Sequence, residues 1–307
     1  MTHDEPGWEL YRTFLGVLMQ GSLSGAAREL GIAQPTVGRH VDALEKSLGL
    51  VLFTRSQTGF LPTEAALALQ PLAETMASTA AALQRVASGQ GDGEGVRGTV
   101  RITASEVVGA EVLPPILAKL RQAQPELTIE LVLTNQLQDL LRREADIAVR
   151  MTPPKQGALV ARRIGAVELG MHARRDYLER CGTPRTEADL AGHTFIGYDT
   201  ETPFIRAAGK SLGGVRREMF SFRTDSDVAQ LNAIRAGLGI GICQVGLARR
   251  DERLVRILPK RFSMQLDTWL AMHEDLRESP RCKVTFQALA KGLSDYIGKN
   301  KPQPAEE

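Results

Sequence analysis

The sequence predicts a chain in two parts: an all-α N-terminal domain extended by a long helix, and a C-terminal α/β domain of two lobes. Three observations carry this. Within the first fifty residues, apolar stripes at helical spacing are punctuated by Gly21 and Gly31. An Ala-rich stretch then repeats apolar residues in steps of three and four. From Thr99 onward, apolar runs of strand length alternate with helical stripes, the grammar of a parallel sheet covered by helices.

The 307 residues suit two or three domains, and a hydrophobic content of 43% supplies ample core material. No apolar run approaches the roughly 18 residues that a bilayer-spanning helix needs. Met1–Gly7 is polar and acidic, without a charged-then-apolar signal segment, so the expected location is the cytoplasm, with no membrane partner. Cys181, Cys243 and Cys282 match neither a disulfide framework nor a zinc site, and the five histidines form no HxxxH or HxH pair. Neither a metal nor a cofactor is expected. The net charge of +2 makes no case for nucleic acid. Within the first 64 residues Arg12, Arg28, Arg39, Lys46 and Arg55 face more acids than that, so any such case rests on pattern.

Trp8, Tyr11, Phe14, Leu15 and Leu18 define a first amphipathic helix ended by Gly21. A second, from about Leu23 to Leu30, turns Ala26, Ala27 and Leu30 inward, and its small residues allow close helix approach. A third begins near Gln34 and Pro35, where proline suits the first turn. Val37, Val41, Leu44 and Leu48 form its buried stripe, with Gln34, Thr36, Arg39, His40 and Lys46 opposite. That polar face is either a solvated surface or a set of donors fit to read a major groove.

The run LSGAARELGIAQPTVGRHVDALEKSLGLVLFTR, residues 23–55, resembles the LysR-type winged helix-turn-helix nearly end to end. It carries the AAxxLxxxQPTV core and the ALExxLGxxLFxR passage into the wing. The resemblance implies that the third helix enters the major groove of double-stranded DNA and that Arg55 lies in the wing beside phosphates. The DNA-contact set it implies is Ala33, Gln34, Pro35, Thr36, Gly38, Arg39, His40 and Arg55. The family often has serine at the positions of Ala33 and Gly38. A hydroxyl contact is therefore missing at Gly38, and Ala33 forgoes a helix cap worth about 1 kcal/mol.

The wing is expected from Leu52 through Leu61, and Pro62 and Thr63 open a helix reaching about Ala87. Leu69, Leu72, Met76, Leu83 and Val86, with Thr79 between, form a heptad seam suited to dimerisation, the alternative being burial against the helix's own domain. Pro71 is expected to kink the helix or break it after Gln70. SGQGDGEG, residues 88–95, reads as a hinge. The expected division is 1–62 winged domain, 63–87 linker helix, 88–98 hinge, 99–298 two-lobed domain and 299–307 disordered tail. Lobe I takes about 99–166 and 267–298, and lobe II about 167–266.

In the C-terminal part, strands are expected at 100–104, 127–133 and 146–149, with helices at 111–122 and 137–143 between them. The second lobe should hold strands at 168–173, 195–197, 219–222 and 240–243, and helices at 175–180 and 226–236. The chain then returns to the first lobe through a strand at 268–272 and a helix at 280–297. GTVRITAS at 98–105, the following LPPILAKLRQAQPELTIEL, and IRAGLGIGI at 234–242 resemble the LysR effector domain. The implied fold is two α/β lobes around a ligand cleft, as in periplasmic binding proteins.

Pockets in such sheets form beyond the carboxyl ends of strands and at helix N-termini. That rule selects Ser105, Glu106 and Thr134 in one lobe, and Tyr198, Thr200, Thr202, Thr224 and Ser226 in the other, as effector-binding candidates. The resemblance adds that the position of Ser105 commonly touches effector, although a plain capping role is the alternative. Glu106 either repels an anionic effector, points to water or pairs with an arginine. The function implied is sequence-specific transcription regulation tuned by a small molecule of unknown identity. The regulator would act as a homodimer that pairs into a homotetramer by family analogy, with RNA polymerase a further candidate partner. Two rivals stand beside it. No GxSxG elbow, phosphate loop or HExxH motif favours an enzyme. A ligand-independent architectural DNA binder would have no use for a two-lobed cleft.

Overall fold

The structure, a computed structural model, describes residues 5–56, 59–88, 96–135, 145–154, 159–202, 205–206 and 216–299. The chain divides into two compact units, with the division at Ala87/Ser88.

The first unit begins with α1 (Trp8–Gln20), α2 (Leu23–Leu30) and α3 (Gln34–Leu48). Gly21, Gly31 and Gly49 close them in the left-handed conformation, each returning its N–H to a carbonyl of the last turn. Ser22 caps α2 by accepting from Gly25 N at 3.1 Å, whereas Ala33 leaves α3 without a side-chain cap. Phe14, Val17, Ala26, Val37, Val41 and Leu44 are buried together with Leu52 and Phe53, so each helix contributes its stripe to one core. A two-stranded antiparallel ribbon, β1 (Phe53–Ser56) and β2 (Gly59–Pro62), is appended as the wing.

Thr63 anchors the next helix by donating to Val51 O and accepting from Ala66 N. That helix, α4 (Glu64–Ser88), runs through Pro71 without a break. The expected interruption after Gln70 does not occur. Proline removes one ladder hydrogen bond, but the surrounding Ala- and Leu-rich sequence carries the helix on. Gln70 pairs with Glu74 across the proline at 2.8 Å, and Thr75 donates to Pro71 O.

In the second unit β3 (Gly98–Ala104), β4 (Leu127–Leu133) and β5 (Ile147–Arg150) are parallel, with β3 between the other two. Two long strands, β6 (Leu159–Arg174) and β11 (Met264–His273), pair antiparallel along most of their length and carry the sheet from one lobe to the other. Their register slips between Thr268 and Trp269, opposite Gly165 at φ 159°, where a Cβ would lie 3.0 Å from Ile297. The outer half of β6 pairs with β9 (Gly241–Gln244) and β10 (Leu254–Ile257). A short parallel pair, β7 (Phe195–Gly197) and β8 (Phe220–Arg223), completes the strands described here.

The helices of this unit are α5 (Leu113–Ala123), α6 (Arg175–Cys181), α7 (Asp227–Arg235), α8 (Val245–Ala248) and α9 (Pro280–Lys299). A widened helical turn at Val108–Val112 precedes α5. Pro114 and Pro115 cannot donate back to carbonyls four residues earlier, so the turn opens. The carbonyl of Glu111, released in this way, accepts from Arg250. The first half of β6 and the whole of β10 lie outside the expected strands, and the helix expected at 137–143 lies outside the described residues.

Candidate functional site

Two sites can be built from the residues upward, one in each unit. In the first, Gln34, Pro35 and Arg39 are exposed on α3, with Ala33 exposed just before it. Thr36 and Gly38 are half-buried. Arg39 donates to Thr36 Oγ1 at 3.2 Å, one turn back, which holds the guanidinium over the helix N-terminus. A Cβ at Gly38 would find its nearest neighbour, Leu23, at 3.8 Å, so packing leaves room for the serine that the sequence lacks.

His40 is not a free donor. Its Nδ1 lies 2.9 Å from Thr13 Oγ1, and the Thr13 hydroxyl spends its proton on Glu9 O at 2.8 Å. The imidazole therefore donates through Nδ1 to Thr13, which leaves Nε2 as the ring nitrogen not engaged by Thr13. Arg55 is in β1 opposite Phe60, and its side chain lies outside the described residues.

Sequence reasoning assigned no role to Glu45. Its carboxylate accepts from Leu52 N at 2.6 Å and Phe53 N at 3.1 Å, fastening the wing to the last turns of α3. The signal was present in the ALExxLGxxLF string, where a glutamate precedes the wing by seven residues. A second tie joins the wing to α1, from Phe60 N to Gly21 O at 2.9 Å.

On α4, Leu72 (60% exposed), Met76 (39%) and Leu83 (66%), three of the residues expected in the seam, are open to solvent. Leu69 departs from the expected seam and packs partly buried on the core of its own unit. The side chain of Val86 lies outside the described residues.

The second site is the mouth between the lobes. Ser105 and Glu106 follow β3, Thr134 and Asn135 follow β4, and α7 approaches with its N-terminus. Ser226, which caps α7, donates its hydroxyl to Glu106 at 2.9 Å. Asn135 accepts from Glu106 N and donates to Asp227 at 2.8 Å. The Tyr198 hydroxyl donates to the other oxygen of Asp227 at 3.0 Å. Glu106, Asn135, Tyr198, Ser226 and Asp227 thus form one hydrogen-bonded chain across the mouth. Of the roles expected of Glu106, pairing with an arginine is not found among the described residues; it accepts instead from a serine of the opposite lobe.

Burial raises the carboxyl of Asp227 above the usual carboxylate range, partly offset by the Tyr198 hydrogen bond, and the charge of Glu106 adds to the rise. Burial, with Asp227 beside it, also pushes the Tyr198 phenol upward, so that it remains a donor. Ser105 donates its N–H to Val149 O at 3.3 Å and receives Gly109 N on its carbonyl, the geometry of a helix start. Its hydroxyl has no partner among the described residues. Thr134 donates its N–H to Ala104 O, and Thr224 donates its own to Gly197 O while its hydroxyl accepts from Ser226 N.

Thr200 and Thr202 stand apart. Thr200 binds Asp225 through both its N–H and its hydroxyl, which pulls the Asp225 carboxyl below its ordinary range. Thr202 is exposed, and its hydroxyl accepts from Ile205 N within its own turn. The residues that come opposite Ser105 and Glu106 are those at the start of α7.

A second clamp lies deeper. Arg235 on α7 grips Glu111 through two hydrogen bonds of 2.7 and 2.8 Å, which hold the glutamate below its ordinary value. Among the described residues no helix is long and apolar enough to cross a membrane, and no group of three or more His, Cys, Asp or Glu could hold a metal ion.

Residues 8–67 match the bacterial regulatory helix-turn-helix protein, lysR family, and residues 93–294 match the LysR substrate binding domain. The chain belongs to the LysR family of transcriptional regulators. This regulator is 32% identical over 197 residues to an HTH-type transcriptional regulator of Xanthomonas campestris, covering 63% of this chain and 55% of that protein's length. It is 28% identical to the probable HTH-type transcriptional regulator LtrA of Klebsiella pneumoniae, covering 90% of this chain and 92% of the relative. The full-length structure of the Vibrio cholerae virulence activator AphB superposes with a TM-score of 0.59 at 24% identity. It covers 92% of this chain and 97% of that one, a likeness of fold.

Proposed function

We propose that this regulator reads an operator with α3, pairs with a second copy through α4, and is tuned by a small molecule held between the lobes of its substrate-binding domain. It acts in the cytoplasm, on double-stranded DNA. Gln34, Thr36 and Arg39 supply the major-groove donors beside Pro35, His40 contributes its Nε2, and Arg55 neutralises phosphate from the wing. Leu72, Met76 and Leu83 are the apolar stripe that a second copy would cover, and pairing of dimers into a tetramer is the assembly most in keeping with the family.

One observation supports the effector reading above the others. Ser226 and Asp227 on one lobe hydrogen-bond to Glu106 and Asn135 on the other. A ligand that replaces those bonds stabilises one lobe separation over another and so shifts a population of DNA-binding geometries. Ser105, Thr134, Tyr198 and Ser226 line this mouth, with Thr224 behind them, whereas Thr200 and Thr202 belong to its outer margin.

The experiment compares Gln34→Ala, Arg39→Ala and Arg55→Ala in gel shifts on operator and scrambled DNA over a range of salt. The two α3 variants lose about 1–3 kcal/mol on operator alone, while Arg55→Ala weakens both DNAs alike and flattens the salt dependence. Wild-type operator affinity in both α3 variants refutes the docking.

A further inference from the structure

One charge lies buried at the end of β5. Arg150 ends β5 with 9% of its surface exposed, and burial alone pulls its guanidinium down to about 10. It donates to Val149 O at 3.1 Å and to Thr103 Oγ1 at 2.9 Å, both neutral acceptors. Two of its five N–H groups are thereby used, and no carboxylate among the described residues pairs with it. Other arginines withdrawn from solvent in this unit are matched by acids: Arg235 by Glu111, Arg256 by Glu168, Arg174 by Asp176. Arg281, also buried, donates to Thr99 O near the amino end of β3, away from the mouth.

A second donor sits beside it. The register of β5 against β11 sets Trp269 directly opposite Arg150, so both side chains rise from one face of the sheet. The indole Nε1 of Trp269 is buried and has no hydrogen-bond partner among the described residues. Buried donors without acceptors are uncommon in folded proteins, and their presence asks for a missing acceptor. The position matters as well. Val149 O receives both the Arg150 guanidinium and the N–H of Ser105, which places the unpaired cation one carbonyl away from the cleft residue at the end of β3.

We infer that Arg150 and Trp269 form an anion subsite, and that the effector carries a carboxylate which the Arg150 guanidinium binds with its remaining N–H groups while the Trp269 indole donates to it. Arginine suits this role because its planar fork matches a carboxylate and stays charged where a lysine would lose its proton. The subsite rests on the interlobe reading for its connection to the effector, though its chemistry can be probed without knowing that molecule.

The test uses full-length Trp8→Phe protein, in which Trp269 is the only remaining tryptophan. It is titrated with propionate and, as a neutral shape-match, with propionamide. Propionate changes Trp269 emission and raises the melting temperature, and propionamide does neither. Arg150→Met abolishes both responses. Without ligand it melts no lower than its parent, because it removes a buried charge that lacks a partner. Arg150→Lys weakens the response by about tenfold, since a point charge replaces the fork.

An Arg150→Met protein that melts below its parent makes the guanidinium a structural group and overturns the inference. So does a propionate response that survives this change, or a parent protein that does not respond. Ser105→Ala and Ser226→Ala are run in parallel to report on the cleft itself. If they leave the response intact while Arg150→Met removes it, the anion subsite stands and the interlobe placement of the effector falls.

Discussion

Acidification should destabilise the substrate-binding domain through one imidazole. His172 lies in β6 between Gly241 of β9 and Arg256 of β10, with 2% of its surface exposed. Its Nδ1 donates to Gly170 O at 2.9 Å, and Cys243 Sγ packs 3.4 Å from the same nitrogen. Burial depresses the imidazole from 6.5 to about 4, against a smaller opposing effect of the Gly170 bond, and Arg256 adds to the fall. The folded chain therefore refuses a proton that the unfolded chain accepts. The stabilisation is complete above about pH 6.5 and falls by about 1.4 kcal/mol per unit as pH drops towards 4, for a total of about 3 kcal/mol. Below that the imidazole adds no further loss. Glu111, held down by its Arg235 hydrogen bond, and Glu168, where hydrogen bonds from Arg256 and Ser263 outweigh burial, lose their contributions only as pH falls through and below 4.5. The raised carboxyl of Asp227 works in the opposite direction. The comparison that isolates the imidazole is urea denaturation of wild type and His172→Gln across this range, followed by tryptophan emission. The difference in stability between the two proteins should shrink steadily from pH 6.5 downward, by about 3 kcal/mol near pH 4. A difference independent of pH would mean that His172 is protonated in the fold or solvated on opening, and would refute the reasoning.

Three further outcomes follow from the geometry. Met76→Lys combined with Leu83→Lys places like charges in the exposed seam of α4, so sedimentation should report smaller species and operator binding should collapse; an unchanged oligomer removes α4 from the interface. Glu45→Ala strips a charged acceptor from the N–H groups of Leu52 and Phe53 and should cost the DNA-binding unit about 2–3 kcal/mol in urea denaturation, with the wing loosened from α3. Arg235→Met leaves Glu111 facing only Arg250; because both partners of the bridge are about a quarter exposed, the loss should be about 1–2 kcal/mol, and small-angle scattering should show the lobes further apart.

Much of the fold is legible because local rules and tertiary packing agree. Pro35 at the first turn and the Val37–Val41–Leu44–Leu48 stripe place α3 in the structure where pattern alone places it. Agreement fails where packing outweighs local preference. Leu159–Val167, with Arg162, Arg163 and Gly165, lies outside the expected strands, yet this segment is a strand because eight consecutive residues of β11 pair along it and Arg163 pairs with Asp267 across the ladder. Pro71 reads as a kink or a break, yet one missing hydrogen bond does not stop a helix of 25 residues. Thr202 shares the alternation of Tyr198 and Thr200 along the chain, but a turn captures its hydroxyl. Arg150 illustrates the opposite limit. Nothing in the pattern marks Arg150, and only its burial beside Trp269, with no acid paired to it among the described residues, reveals a buried cation.

The two charged features of the mouth together constrain how an anionic effector would lie. Glu106 and Asp227 are already satisfied by Ser226, Asn135 and Tyr198, all donors, so any ligand group that displaces these must itself donate. A carboxylate placed there would meet like charge, and at about 4 Å each such contact opposes binding by about 1–4 kcal/mol between water-like and surface-like dielectric. At Arg150 the sign reverses, because no acid among the described residues competes for the cation, whose hydrogen bonds there go to neutral acceptors. The orientation that satisfies both ends puts the carboxylate on Arg150 and Trp269 and a hydroxyl or amine towards Glu106 and Asp227. Swapping the ends loses the ion pair and adds the repulsion. An acid that also carries a hydrogen-bond donor at its far end should therefore bind more tightly than propionate, and Glu106→Gln should narrow that advantage while leaving propionate affinity near wild type. Equal affinities for the two ligands in the unmodified protein would show that the Glu106 end of the mouth takes no part in recognition.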